Sequence, residues 1–469
     1  MSTLSRRKFF SCSLGAAAVS VAPVSLLQSA HAAGSIPTPE SLNANTYQQA
    51  IQAAIQFQNQ MMDAYATGKT VRLIQSYADQ SGLESTAFTY DNAVSIHAYL
   101  LHGSADSQAR AEILGQGLIY AQANNFPFND GRFAQAYFVN APSSDGVYVT
   151  PAAFPFYFYT SAVGDQAWAG MALAQLFKRT GEGTYLTAAL NVGNWIVNNT
   201  YSTLAPGGYS FGTNINQFNQ SVPSGNGKST EHNIDTYAFF TMLDALTSHG
   251  SAANGMTWSA LAAHALGFVI AMWNPAGPFF WTGTAGAASS AINYYPIPED
   301  CQTWSYLAMR NSQYAGSIDW ALKNLQPTDS ALSTDSSLTG SETFTGMTFD
   351  TASLNTGIAD PNAVWLEGSA HTVAALIART ETEVGTARVM DWQNALKLVN
   401  TCDTAQAELG ANQTVNGIPI ALGSGVVAAT SLLDTGFGYT YGTSKHIGAT
   451  GWYLIATQGG NPFQLGYSS

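Results

Sequence analysis

Glu231-His232-Asn233-Ile234-Asp235 puts two carboxylates at i, i+4, on one face of any helix that carries them. Ser229 or Thr230, just ahead, can cap that helix by accepting from its first-turn N–H groups. Tyr237, Ala238, Phe239, Phe240, Met242 and Leu243 follow and leave little polar face, so the helix body reads as buried. Ionisable groups at the open end of a buried helix are placed to work at the mouth of a pocket. Five other stretches share this make-up. They are Glu84 to Asn92 with Tyr90 and Asp91; Gly164-Asp165-Gln166-Ala167-Trp168; Glu299-Asp300-Cys301-Gln302-Thr303-Trp304; Trp365-Leu366-Glu367-Gly368-Ser369-Ala370-His371; and Ser444-Lys445-His446 through Trp452. Each mixes an acid, amide or His with an aromatic.

Paired carboxylates in such settings suit glycosidic cleavage. That reaction needs a protonated acid at the leaving oxygen and an ionised carboxylate across the sugar, about 6.5–9.5 Å apart when a water is admitted between them. Burial among aromatics raises one pKa while a hydrogen-bonded neighbour stays ionised. Glu367 beside Trp365 suits the acid, and Asp91, Glu231 or Asp300 the base. Tyr90, Trp281, Trp304, Trp365 and Tyr441 offer faces for stacking on sugar rings, and His232, Asp235, Glu299, Gln302 and His446 complete the expected substrate contacts. Simpler explanations compete. The helix macrodipole alone favours Glu299 and Asp300 in a first turn. Capping accounts for Asp165. Glu231 and Asp235 have Lys228 or Arg132 as structural ion-pair partners to consider. His232, His371 and His446 have the ordinary role of hydrogen-bonded interior histidines. Asp360-Pro361 supplies a cap and a first-position proline, which places Glu367 about two turns into its helix. A carboxylate there needs partners or a task.

Apolar periodicity and caps predict about twelve helices, near 45–66, 86–101, 106–124, 163–179, 183–198, 230–247, 256–273, 299–310, 314–325, 362–380, 386–408 and 445–458. Their links are uneven. Short links such as His102-Gly103-Ser104-Ala105 alternate with long ones such as 125–162, 200–229, 275–298, 326–360 and 409–444. Loops that long in a compact domain are usually functional. The alternation makes every second helix start from a long loop and point the same way, a degenerate repeat of helical hairpins. Six hairpins closing on themselves give an inner ring of parallel, apolar helices and an outer layer running back. The competing architecture, an open solenoid, favours uniformly short links.

This arrangement resembles the six-hairpin glycosidase superfamily, the all-α (α/α)6 toroid with long loops before the inner helices. The resemblance spans residues 33–469 as one domain and is architectural; no single family's signature is matched. It implies an active site at the loop-rich end of the inner ring. It also implies one of that superfamily's reactions, which include inverting glycoside hydrolysis and polysaccharide lysis.

Ser5-Arg6-Arg7-Lys8-Phe9-Phe10, the apolar run Leu14 to Leu27 and Ala30-His31-Ala32 read as a twin-arginine export signal cleaved near residue 32. Its loss removes three positive charges and no acid, taking the net charge from −13 to −16. Such a surface disfavours nucleic acid, anionic membranes and polyanionic substrates. Charged residues make up 10% of the chain and aromatics 12%, a balance suited to neutral, hydroxyl-rich ligands outside the cytoplasm. Cys301 and Cys402 remain, too few for a disulfide framework, and no zinc-like spacing, phosphate loop, dinucleotide fingerprint or nucleophile elbow is present. No cofactor or metal is expected. The sequence thus points to an exported, inverting glycoside hydrolase on a neutral oligo- or polysaccharide. The alternatives are a polysaccharide lyase using His232, His371, His446 or Tyr441, and a toroid that binds glycans without chemistry.

Overall fold

The computed structural model describes residues 45–467, apart from 126, 151–157, 217, 225–226, 286–289, 356 and 358; the export signal expected over 1–32 lies outside them. The helices are α1 Asn45–Met62, α2 Thr89–His102, α3 Ala105–Ala123, α4 Val163–Thr180, α5 Gly183–Thr200 and α6 Thr230–Leu246. They continue with α7 Trp258–Ala271, α8 Asp300–Met309, α9 Gly316–Asn324, α10 Leu366–Thr380, α11 Gly385–Glu408 and α12 Ile447–Thr457. Around the ring, α2 packs on α4, α4 on α6, α6 on α8, α8 on α10, α10 on α12, and α12 back on α2. The outer helices pair with them as α2/α3, α4/α5, α6/α7, α8/α9 and α10/α11. The sixth pair joins the two ends of the chain, α12 with α1. The fold is the all-α (α/α)6 toroid.

Inner helices are buried nearly all round because they face the ring on one side and the outer layer on the other. Trp168, Trp304 and Trp452 fill the centre, with ring centroids 5.2 to 5.9 Å apart. The segment after α12 crosses the C-terminal end of the ring. Asn461 Nδ2 donates to Leu307 O (2.9 Å), Gln175 Nε2 to Gln464 O (2.8 Å), and Tyr467 meets His97 Nδ1 at 2.9 Å. Phe463 packs on Trp168 at 5.3 Å. One end of the ring is therefore sealed, and access is from the N-terminal end.

The long loops carry short antiparallel ribbons that the all-α expectation omitted. Thr86–Phe88 pairs with Ala136–Phe138, and Ser161–Ala162 with Gly212–Ile215, each leading directly into an inner helix. A repeated staple fixes loop to helix. Asn92, Gln166, Asn233 and Gln302 each accept from one loop residue's N–H and donate to its C=O, at Ile74, Phe133, Tyr209 and Phe280 (2.7–3.1 Å). Ser369 and Thr450 accept likewise from Met347 N and Val426 N at 2.9 Å. All six also donate to the carbonyl four residues earlier in their own chain. Backbone groups buried without partners are costly, and each staple satisfies backbone groups of a loop residue.

Candidate active site

The staples put the six inner helices in register. Two residues before each staple lie Tyr90, Gly164, Glu231, Asp300, Glu367 and Gly448. Two residues after it lie Val94, Trp168, Asp235, Trp304, His371 and Trp452. The first set rings the mouth and the second forms the layer beneath, one helical turn down. The acids that the sequence singled out thus come together from separate hairpins.

Two corrections to the local reading follow. Asp360 and Pro361 do not begin a helix. Asp360 accepts from Asn362 N in a turn, and α10 starts after Trp365, which bridges to Ala429. Glu367 is therefore in the first turn and not two turns in, and Asp91 is likewise in the first turn of α2. The macrodipole favours both positions, so what marks them is their burial and partners. Asp165 caps nothing, since the N-cap of α4 is Ala162. Ser229 does cap α6, accepting from His232 N at 3.3 Å.

Glu367 is the most densely served acid. Tyr90 Oη donates to its Oε1 at 2.5 Å, and Trp452 Nε1 donates to Tyr90 Oη at 2.7 Å. His371 Nε2 lies 3.7 Å from Oε1 and His446 Nδ1 3.5 Å from Oε2. Burial pushes the Glu367 carboxyl up, but His371, His446 and Tyr90 together hold it below its ordinary value. His371 is shared with Glu299, whose Oε2 is 3.2 Å from Nδ1 and whose Oε1 accepts from Thr372. Burial lowers the His371 pKa, but Glu299 and Glu367 outweigh that and bring it to about 8. His446 Nε2 meets Asp91 Oδ2 at 3.1 Å, and Asp91 and Glu367 outweigh burial to raise the His446 pKa. His446 also stacks on Tyr77 at 4.2 Å and 6°.

Across the mouth the balance is reversed. Burial first, then Asp300, Asp165 and Glu367, push Glu231 well above the ordinary range. Asp235, fully buried, is pushed up by burial, Glu231, Asp300 and Asp165. Burial and Glu299 bring Asp300 to about 7, and burial and Asp91 bring Asp165 to about 8. The expected ion-pair partners do not reach them. Lys228 Nζ bonds Leu204 O at 2.6 Å, and Arg132 pairs with Asp130. Buried His232 is pushed down to about 4 and packs on Phe211. Gly164 makes that approach possible, because a Cβ there would lie 2.6 Å from His232 Cδ2.

The aromatics divide by layer. Trp365 stacks on Tyr441 (6.1 Å, 14°) and abuts Phe349, beside exposed Phe437 and Tyr439, so these rings line the α10 side of the mouth. Trp304, expected as a stacking face, is 3% exposed in the central plug under Tyr90. Trp281 packs on Phe279 and Tyr294, and Phe279 continues to Trp320 of outer helix α9, which places it outside the acid cluster. Gln302, expected as a sugar contact, is consumed as a staple between Phe280 and Pro298. Sequence reasoning did not weigh Asp350. It is buried, accepts from Ser353 and Ala352, and burial brings it to about 7 with Asp300 adding to the rise. Its signal was only its place in a long Gly/Thr-rich loop. Cys301 and Cys402 are unpaired and buried. No group of three or more His, Cys, Asp or Glu among the described residues has the geometry of a metal site, and none of the described helices is long and apolar enough to cross a membrane.

Ring closure and a sealed floor make this an (α/α)6 toroid with an acid-lined mouth. Solved structures with this fold include a family 76 α-1,6-mannanase from Salegentibacter sp. (11% identity, TM-score 0.52, covering 87% of this chain and 98% of that one). A family 76 α-mannanase from Bacteroides thetaiotaomicron is similar at 11% identity and TM-score 0.53, covering 90% and 98%. A glycosidase in complex with glucose is similar at 12% identity and TM-score 0.53, covering 89% and 98%. No protein-family model matches the chain, and no curated protein matches its sequence.

Proposed function

We propose that the protein is an exported glycoside hydrolase acting on a neutral oligo- or polysaccharide with inversion. Glu231 gives its proton to the leaving oxygen, the anomeric C–O bond breaks, and a water adds to the anomeric carbon while Glu367 takes its proton. The observation that carries this reading is the unequal surroundings of two glutamates at one level of the mouth: Glu367 meets Tyr90, His371 and His446, which favour its ionised form, whereas burial and neighbouring acids push the Glu231 carboxyl up. The roles are thus the reverse of those the sequence suggested. Glu231 on α6 and Glu367 on α10 are second neighbours around the ring. With helix axes about 8–10 Å apart, second neighbours stand roughly 14–17 Å apart, so two inward glutamates leave a gap suited to a sugar and a water. Tyr90 and His371 keep Glu367 ionised, while Trp365 and Tyr441 supply a stacking wall.

The comparisons support the reading by analogy. Similar glycosidase structures are variants at a tyrosine and at two glutamates, the same types in the same chain order as Tyr90, Glu231 and Glu367. A similar family 76 mannanase is described as inactive after two adjacent aspartates were changed to asparagine, and it binds α-1,6-mannotriose. Glu299-Asp300 is this chain's one pair of adjacent acids. A lyase is disfavoured by the mouth itself, where Lys228 and Lys445 bond backbone carbonyls and offer no charge to a uronate. The twin-arginine leader would deliver the enzyme folded to the periplasm or medium.

Glu231→Gln and Glu367→Gln should each lower kcat/KM by about 10²–10⁴-fold on whichever glycan is cleaved, with the melting temperature retained. Full activity in both variants would sink the assignment. NMR of the first-formed anomer checks inversion.

A further inference from the structure

Trp281 lies outside the acid cluster, and its neighbours are aromatic too. Trp320 of α9, Phe279, Trp281 and Tyr294 form a row, with successive ring centroids 4.7, 4.5 and 4.8 Å apart. Phe279 is buried and Trp281 and Trp320 are half-buried, whereas Tyr294 and Tyr295 are 61% and 57% exposed. Exposed apolar residues scattered singly are ordinary, but adjoining ones mark a binding surface. The row itself holds no Asp, Glu, Lys, Arg or His. It is also tied to the mouth. Thr230, the residue before Glu231, donates from Oγ1 to Trp281 O at 2.6 Å and from N to Thr282 O at 3.0 Å. Gly283–Thr284 pairs with Lys228–Ser229, which leads into α6, and with Ile292–Asn293, which leads into Tyr294. The strands that carry the row thus run directly to the helix that carries the proton donor.

We propose that Trp281, Tyr294 and Tyr295 form a second glycan-binding site beside the mouth, which holds one stretch of a neutral polysaccharide while another stretch of the same strand lies at Glu231 and Glu367. A pyranose has an apolar C–H face rimmed by hydroxyls. Trp and Tyr match it, because each offers a flat apolar body with a polar handle at its edge. A charged polymer would need countercharges that the row does not supply. Two contacts on one strand make the second an intramolecular event and raise the concentration of substrate at the mouth. An oligosaccharide too short to span both sites gains nothing from the row. The choice of polymer rests on the glycosidase reading, whereas the binding face itself does not.

Affinity electrophoresis through gels containing dextran, pullulan, galactomannan, xyloglucan or soluble α-mannan reads binding without cleavage when the protein carries Glu231→Gln. At least one polymer should retard it. Adding Tyr294→Ala and Tyr295→Ala should weaken that binding about three- to tenfold. Trp281→Ala should weaken it too, with folding checked by melting temperature. With Glu231 intact, the two tyrosine changes should lower kcat/KM on the polymer by a similar factor and leave it unchanged on the shortest oligosaccharide that is cleaved. No retardation by any polymer, or retardation that survives all three changes, overturns the inference. An equal loss on polymer and short oligosaccharide also overturns it, by placing these rings in the cleft itself. Retardation that the changes abolish, with no glycan cleaved by any form of the protein, supports the second site and sinks the hydrolase reading.

Discussion

Tyr90 is the partner of Glu367 whose loss is simplest to isolate. Its hydroxyl donates to Oε1 at 2.5 Å and is itself fixed by Trp452 Nε1 at 2.7 Å. A hydrogen bond to a charged group contributes about 1.5–3 kcal/mol, and it favours the ionised form. Tyr90→Phe should therefore raise the Glu367 pKa, moving the acid limb of the kcat/KM profile up by about one unit, while the alkaline limb set by Glu231 stays in place. An unmoved acid limb would mean that Glu367 is not the ionised group. At this scale the sequence displayed the acids but not their protonation. Glu367 beside Trp365 looked like the proton donor. The two imidazoles that keep it ionised lie one turn further along α10 and at the start of α12, and nothing in the local sequence reveals their approach.

Each inner helix depends on its staple more than on its cap. Gln302 makes hydrogen bonds of 2.8, 3.0 and 2.9 Å to Phe280 N, Phe280 O and Pro298 O. Gln302→Ala would leave the N–H and C=O of buried Phe280 unpaired, and the expected cost is about 2–4 kcal/mol, read as a lower denaturant midpoint at unchanged slope. Ser229→Ala removes only a 3.3 Å cap to His232 N, and should cost about 0.5–1 kcal/mol. A larger loss from the cap than from the staple would reverse this ranking. The helices themselves were legible, because periodicity and alternating link lengths set their order and direction. The start of α10 was misplaced because Asp360-Pro361 has the composition of a helix start but closes a turn. The staples were not legible at all. An amide two residues past a mouth position has no sequence mark pointing to its partner, which lies 18 residues back for Asn92 and 33 for Gln166.

For the molecule as a whole, the buried acids set an unusual dependence of stability on pH. Asp165 at about 8 and Asp300 and Asp350 at about 7 are all raised from 3.8, chiefly by burial, and Glu231 and Asp235 are raised as well. Each holds its proton in the folded chain at a pH where the unfolded chain has lost it, so stability falls as pH rises toward the folded pKa. His371, raised to about 8, acts in the same sense between its unfolded value of 6.5 and 8. Buried His97 and His232, lowered to about 3 and about 4, act oppositely, but only below 6.5, where they charge in the unfolded chain first. Above 6.5 nothing in that pair offsets the acids. The melting temperature should therefore fall steeply from about pH 6.5 to about pH 8. The high negative charge of the chain also weakens it as pH rises, so the cause must be separated from net charge. Asp235→Asn and Asp335→Asn each remove one carboxyl, the first from the buried layer and the second from an exposed loop. Only Asp235→Asn should flatten the fall, because burial and the neighbouring acids raise that carboxyl on folding. Equal slopes in the two variants would assign the effect to net charge and leave the buried acids without a role in it.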